Sequence, residues 1–388
     1  VIEKVATLVR ELPPSGIRRF FDLVAETPGV ISLGVGEPDF VTPWAGREAC
    51  IWGLEKGKTH YTSNHGLLEL REAISRDVEA NLGVSYDPRR EIMVTVGVSE
   101  ALDIALRALL NPGEEVIIPE PSYVSYQPCT LLAGGRPVPV ATSWEDGFRL
   151  TPAALEQALT PRTKAVLLCY PNNPTGTTLS RQDLEGIAEI ARARDLIVIA
   201  DEIYHHLTYG RQHFSIAALP DMKERTILLN GFSKAYAMTG WRLGYACAHP
   251  DLISAMVKIH QYTMLCAPIT AQLAALEVLK SCRGEMEAMV REYDRRRRLV
   301  VAGLREAGLE CHEPEGAFYV FPSIRSTGLT SEQFATELLR EQKVAVVPGS
   351  AFGAAGEGCI RISYAYSLAQ LQEALKRIRM FVQSRMAG

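Results

Sequence analysis

Asn230-Gly-Phe-Ser-Lys-Ala-Tyr-Ala-Met-Thr-Gly-Trp-Arg-Leu-Gly-Tyr245 follows directly on the apolar run Ile227-Leu228-Leu229, and that order decides how the chain is read. A short apolar run closed by Asn-Gly reads as a buried strand, so the Lys234 amine emerges from a strand end into a cleft instead of open solvent. Desolvation and a neighbouring cation, here Arg242, both favour the neutral amine, the form that attacks an aldehyde carbon to give a Schiff base. The spacing of Ser233, Lys234 and Arg242 suits a ligand that carries an aldehyde and a phosphate. Alone, a lysine beside a strand is more often a surface charge, so the reading needs support from elsewhere in the chain.

Two other segments supply it. Asp201 closes the run Leu196-Ile-Val-Ile-Ala200 and opens Asp-Glu-Ile-Tyr204, which sets a carboxylate at the C-terminal end of a strand, where open α/β sheets bind ligands. A buried carboxylate there keeps a pyridine nitrogen protonated, as a ring must be if it is to accept electrons from a substrate carbanion. Tyr204, three residues on, can hydrogen-bond the ring's phenolate oxygen. Tyr170-Pro-Asn-Asn-Pro-Thr-Gly176 follows the strand-like Ala165-Val-Leu-Leu-Cys169 and fixes a tight turn that can present the Asn173 amide to the same oxygen. Aldehyde, phosphate, pyridine and phenolate together describe pyridoxal 5′-phosphate.

The phosphate end has its own signature. Ile92-Met-Val-Thr-Val96 reads as a strand, Gly97 permits a sharp turn, and Ser99 to Leu110 reads as a helix with Leu102, Ala105, Leu106 and Leu109 on its apolar face. The amides of Ser99 and Glu100 at its N-terminus form a phosphate cradle that Ser233 and Arg242 complete. An ordinary capped helix has the same pattern.

Further motifs recur in order along the chain: Gly36-Glu-Pro-Asp-Phe40, Tyr61-Thr-Ser-Asn-His-Gly-Leu-Leu-Glu-Leu-Arg71, Thr95-Val-Gly-Val-Ser-Glu-Ala101, Pro119-Glu-Pro-Ser-Tyr123, Gly316-Ala-Phe-Tyr319 and Ile360-Arg-Ile-Ser-Tyr364. With these the sequence resembles the class I aminotransferases of the fold type I pyridoxal-phosphate superfamily over nearly its whole length, and most of all the aromatic and aspartate-type members from thermophilic bacteria and archaea. The resemblance implies that Lys234 bonds the cofactor aldehyde and shuttles the substrate proton, and that Asp201 holds the pyridinium. It assigns Asn173 and Tyr204 to the ring oxygen and Tyr123 to stacking on the ring face. Arg361 is implied as the grip on the substrate carboxylate, through two parallel hydrogen bonds, with Asn173 assisting. Gly36 would lie in a loop that closes over the substrate, and Tyr61 would reach across from a second subunit, making the enzyme a homodimer with shared sites. Some thermophilic aspartate-specific relatives carry a lysine at the position aligned with Ser99; a serine there favours bulky uncharged donors, with Ile17, Tyr61, Tyr123 and Tyr262-Thr-Met-Leu-Cys266 as candidate pocket walls. The expected reaction moves an amino group between an L-amino acid and a 2-oxo acid, 2-oxoglutarate being the expected acceptor. An aspartate or diaminopimelate-type aminotransferase and a C–S β-lyase on the same fold stay open, as does a ligand-sensing module of the same fold.

Other patterns carry less. Gly53-Leu-Glu-Lys-Gly57-Lys58-Thr59 has three residues between its glycines where a P-loop has four and reads as a surface turn, and Gly34-Val-Gly36 lacks the third glycine of a dinucleotide fingerprint. His205-His206 has no Cys or His at ligand spacing nearby, so no metal is expected. Arg295-Arg-Arg-Arg298 sits beside Glu292 and Asp294 and reads as a solvated helix face; with a formal charge of −4 and a pI near 6.1, no nucleic-acid partner is expected. Ile259 to Leu276 is the longest stretch without Asp, Glu, Lys or Arg, but its polar residues make it a poor membrane span and a better buried helix pair or domain junction. The eight cysteines form no C-x-x-C pair and the first residues read as no secretory signal, which points to free thiols in the cytoplasm.

At 388 residues, 47% hydrophobic and 22% charged, the chain suits two globular units. Strand-like runs alternate with amphipathic helices from about 92 to 250, the pattern of a mostly parallel α/β sheet. The expected organisation is a large cofactor-binding α/β domain over 41–285 and a small α+β domain from 1–40 and 286–388, with a long helix from Met286 to Ala307 leading into it.

Overall fold

Alternate residues of the apolar runs point to opposite faces, and this sets the layers. In the computed structural model, which describes residues 2–12, 17, 24 and 27–386, Ala165, Leu167 and Cys169 of β5 (Thr163–Cys169) share one core with Ile199, Ile227 and Leu229. Val166 and Leu168 join Val198 and Ala200 in another. Strands buried on both faces need helices on each side. The sheet has seven strands in the order β2-β8-β7-β6-β5-β3-β4: β2 is Ile92–Thr95, β3 Glu115–Glu120, β4 Arg136–Ala141, β6 Ile197–Asp201, β7 Thr226–Gly231 and β8 Gly244–Cys247. Only β8 runs against its neighbours.

The covering helices start where their caps dictate. Ser180 and Asp183 form a reciprocal capping box at the head of the Arg181–Ala193 helix, whose Leu184, Ile187, Ala188 and Ala191 face the sheet. Such a cap contributes about 1 kcal/mol. The Gly97–Leu109 helix begins two residues earlier than its apolar pattern suggests, because Gly97 takes φ +75° and the chain turns there straight into the helix. Below it, a side chain on Gly244 would lie 2.6 Å from the Val98 amide nitrogen, so only glycine lets β8 pass so close to the helix N-terminus.

The rest of the chain forms a smaller α+β unit. The 24-residue Arg283–Glu306 helix leads into it. There β9 (Tyr319–Val320), β11 (Val347–Pro348) and β12 (Ile360–Ser363) make an antiparallel sheet in the order β11-β12-β9. β1 (Ile31–Ser32) pairs in parallel with β10 (Val344–Ala345), tying an early segment of the chain to this late one.

Three expectations change. Arg295 and Arg298 are solvated, but Arg296 and Arg297 are buried: Arg296 grips the Asp39 carboxylate at 2.8 and 2.9 Å, and Arg297 binds Asp294 and Glu313. The helix packs on this side against the segments that carry Asp39 and Glu313, which local spacing does not reveal. Ile259–Leu276 does span a helix pair, Pro250–Thr263 and Ile269–Ser281, yet Tyr262 in the last turn of the first helix and Met264 just after it are exposed. Gly53 lies inside the Trp44–Glu55 helix instead of a turn, with Leu273 packed where a side chain would be. Among the described residues no helix is long and apolar enough to cross a membrane.

Candidate active site

The parallel register brings Cys169, Asp201 and Leu229 level at the ends of β5, β6 and β7. The segments that follow, 170–176, 201–204 and 230–242, therefore converge at the carboxyl edge of the sheet. They open on a cleft of about 500 Å³ lined by Gly36, Ser99, Tyr123, Asn173, Asp201, Tyr204, Ser233, Lys234, Arg242 and Arg361. Of the expected site residues, Glu100 and Tyr61 are outside this lining.

Lys234 donates from Nζ to the Gly36 carbonyl at 2.7 Å. Burial lowers its pKa to about 8; Glu37 opposes this, while Arg361 and Arg242 push the same way. A useful fraction of neutral amine thus exists near neutral pH. Asp201 is 6% exposed, and burial raises its pKa to about 6 against the Tyr126 hydroxyl, which donates to Oδ2 at 2.9 Å, and the Ile203 amide, which donates to Oδ1 at 3.3 Å. The carboxylate stays ionised at neutral pH, and a cationic ring nitrogen beside it would hold it more firmly so.

Local sequence patterns do not point to Tyr126. It lies 75 residues from Asp201 in sequence; the one local hint is its place three residues after Tyr123, whose ring it meets edge-on at 5.5 Å. Tyr319, which closes the Gly316-Ala-Phe-Tyr319 motif, sets its hydroxyl 2.9 Å from that of Tyr204.

At the other end the helix start corrects the cradle. With Gly97 as the first helical residue, the unpaired amides are those of Gly97, Val98 and Ser99, while Glu100 closes the first turn. Its carboxylate folds back to accept from the Val96 amide and binds Nδ1 of the fully buried His260. A side chain on Gly97 would sit 2.6 Å from an Arg242 guanidinium nitrogen. A cation against the positive end of a helix is favourable only with an anion between them.

Arg361 is buried, stacked 4.6 Å over the Tyr319 ring and 4.8 Å from that of Phe352. Nη1 donates to Asn173 Oδ1 at 2.8 Å and Nη2 to the Gly34 carbonyl, while Nε has no partner. Because its oxygen is engaged, Asn173 keeps its NH₂ free to donate.

Tyr61 is 82% exposed, and Tyr262 is 86% exposed. The fold brings Asp77 to the His205-His206 pair, with one ligand atom of each within 4.8 Å of the others. Asn230 Oδ1 accepts from the Gly231 amide at 2.7 Å, and His205 Nδ1 lies 2.8 Å from the Asn230 side-chain nitrogen and 3.2 Å from the Glu202 carbonyl oxygen.

Pyridoxal 5′-phosphate fits these residues: an anion cradle between Arg242 and the Gly97 helix end, a buried carboxylate, a depressed amine and an unpaired guanidinium N–H share one cleft. The family model for aminotransferase class I and II matches residues 28–378. The chain is 59% identical to the putative aminotransferase YugH of Bacillus subtilis, covering 96% of this chain and 97% of that one. It is 50% identical to an aspartate aminotransferase of Pyrococcus abyssi, covering 94% and 95%. The solved structure of an aromatic aminotransferase from Pyrococcus horikoshii superposes with a TM-score of 0.91 at 49% identity, covering 95% of this chain and 99% of that one. The chain belongs to the class I and II aminotransferases: it has the fold type I architecture and is a pyridoxal-phosphate-dependent enzyme that moves an amino group between an L-amino acid and a 2-oxo acid.

Proposed function

We propose that the cleft at the ends of β5, β6 and β7 is the site of amino transfer, in two half-reactions of ping-pong order, and that its residues act as follows. When bound, the cofactor supplies an aldehyde that accepts the amino group and a ring that withdraws electrons. Lys234 Nζ is the covalent anchor and takes the proton from the substrate Cα. Asp201 holds the proton on the ring nitrogen, with Tyr126 holding Asp201. Tyr204 and the free Asn173 NH₂ donate to the ring oxygen, and Tyr123 covers the ring face. Ser99, Ser233, Arg242 and the Gly97 and Val98 amides cradle the phosphate, and Gly36 lets the backbone approach closely. Arg361 binds the substrate carboxylate. The observation that carries this reading is the meeting in one cleft of Lys234, its amine depressed to about 8, with the buried Asp201 and the unpaired Nε of Arg361.

Among the described residues the cations lining the cleft are Lys234, Arg242 and Arg361, each already engaged in this scheme. Ile17, Val35, Leu102 and Tyr123 add apolar and aromatic wall, and Ser99 carries no charge for a distal carboxylate. The reading is therefore an aromatic or similarly bulky donor; 2-oxoglutarate is proposed as acceptor on the family resemblance, its distal carboxylate calling for a cation from outside this lining, such as one from the partner subunit. Burying such a ring contributes roughly 1.5 to 3 kcal/mol, so kcat/KM for phenylalanine should exceed that for aspartate by about tenfold or more. Aspartate ahead by the same margin in a donor panel would overturn the preference.

The enzyme acts as a homodimer, with Tyr61 of each protomer completing the phosphate cradle of its partner. Support comes from the exposed apolar and aromatic residues Val41, Trp44, Trp52, Tyr61, Tyr262 and Met264, more than a lone chain needs to leave in water. Mixing inactive Tyr61→Ala and Lys234→Ala proteins under conditions of subunit exchange should restore about a quarter of the normal activity: half the dimers are mixed, and one of the two sites in each is whole. Mixed dimers without activity would argue against a shared site. We assign the large domain to 41–285 and the small one to 1–40 with 286–388, residues 1, 13–16, 18–23, 25–26 and 387–388 of which lie outside those described; β1–β10 pairing supports the grouping. Eight unpaired cysteines support a cytoplasmic location.

A further inference from the structure

Tyr319 stands where three parts of the cleft meet. It is 1% exposed, its hydroxyl lies 2.9 Å from the Tyr204 hydroxyl, and the Arg361 guanidinium rests 4.6 Å over its ring. A side chain on Gly36 would reach within 2.4 Å of the Tyr319 oxygen, so the backbone of the Gly36 loop packs directly on the phenol. The carbonyl of Gly36 in turn accepts from Lys234.

Two facing phenols share one bond, and only one of the two protons can lie in it. A buried O–H left without an acceptor costs about 1–3 kcal/mol, and among the described residues the hydrogen-bond partner of the Tyr319 hydroxyl is Tyr204. With an acceptor oxygen in the cleft, the Tyr204 proton turns toward it and the Tyr319 hydroxyl takes over the bond between the phenols, donating to Tyr204. A phenol that accepts one hydrogen bond is polarised into a stronger donor of the next.

We propose that Tyr319 is a positioning residue: its hydroxyl aims and strengthens Tyr204 as donor to the cofactor's ring oxygen, while its ring supports Arg361 in the plane that meets the substrate carboxylate. One side chain thereby sets both the electronic state of the cofactor and the seat of the substrate. The inference rests on the role given above to Tyr204.

The two functions separate by substitution. Tyr319→Phe keeps the ring and removes the hydroxyl; Tyr319→Leu removes both. The readout is the pH titration of the visible absorbance of the holoenzyme without substrate, together with KM and kcat for the amino donor. The ring oxygen and the nitrogen on the cofactor's aldehyde carbon share a proton, and a donor aimed at the oxygen loosens that proton. A weakened donor therefore raises the titration midpoint. Tyr319→Phe should raise it by roughly half to one pH unit, the net worth of one hydrogen bond, with KM within about twofold of normal because the ring remains. Tyr319→Leu should raise the midpoint equally and KM by about tenfold in addition. Thermal unfolding of each variant shows that the fold is kept. A shifted midpoint in Tyr204→Phe beside an unshifted one in Tyr319→Phe overturns the role of Tyr319 alone; unshifted midpoints in both overturn the Tyr204 assignment with it.

Discussion

Lys234→Ala is expected to lower turnover by at least about 10⁴-fold while the protein still binds pyridoxal 5′-phosphate. Two losses coincide at one atom, since Nζ is proposed as both the covalent anchor and the base at the substrate Cα; positioned proton transfer alone is worth about 10²–10⁴-fold. No other lysine lines the cleft among the described residues, so nothing else can act from the same place. The cradle around Gly97 and Arg242 and the carboxylate of Asp201 remain, and these keep the cofactor. Steady-state kcat and equilibrium dialysis of the cofactor check both halves, and near-normal turnover would remove Lys234 from the mechanism.

Asp201→Ala should cost about 10²–10⁴-fold in kcat/KM, the effect of stripping one partner from a buried ion pair. Asp201→Glu keeps the charge and should lose far less, its extra methylene being the only misfit in a site bounded by Tyr126 and the Ile203 amide. Equal rates in the two variants would show that charge at this position is irrelevant. The same residue makes an opposite prediction for the cofactor-free protein. Its folded-state pKa of about 6 lies above that of an unfolded chain, about 3.9, so between those values the folded state binds more protons. Stability is then lost as pH rises through this window, by roughly 3 kcal/mol in all. Cofactor-free Asp201→Asn should accordingly be the more stable protein at pH 8 and no better at pH 4, as calorimetry at the two pH values would show. A site residue that destabilises the empty fold is the mark of a group placed for its ligand.

The parts of the site legible in the sequence are those in which chemistry and secondary structure coincide locally. Asp201 and Lys234 follow apolar runs that can only be strands, and the parallel register then brings the ends of those strands level without further information. What escaped depends on contacts between distant segments. The bond from Tyr126 to Asp201, the burial of Arg296 against Asp39 and the approach of Asp77 to His206 each join elements more than 40 residues apart, and no local spacing encodes them. The helix start at Gly97 escaped for a smaller reason. Apolar periodicity fixes the buried face of a helix but not its first residue, which here is set by the positive φ of Gly97 and by the close passage of Gly244 beneath.

Borohydride reduction of the holoenzyme followed by peptide mass mapping tests whether Lys234 carries the cofactor in this cleft. The expected result is the mass of a reduced pyridoxyl 5′-phosphate group on the peptide containing Lys234, lost in Lys234→Ala. A stoichiometric adduct on a different lysine, with Lys234 unmodified, would contradict it.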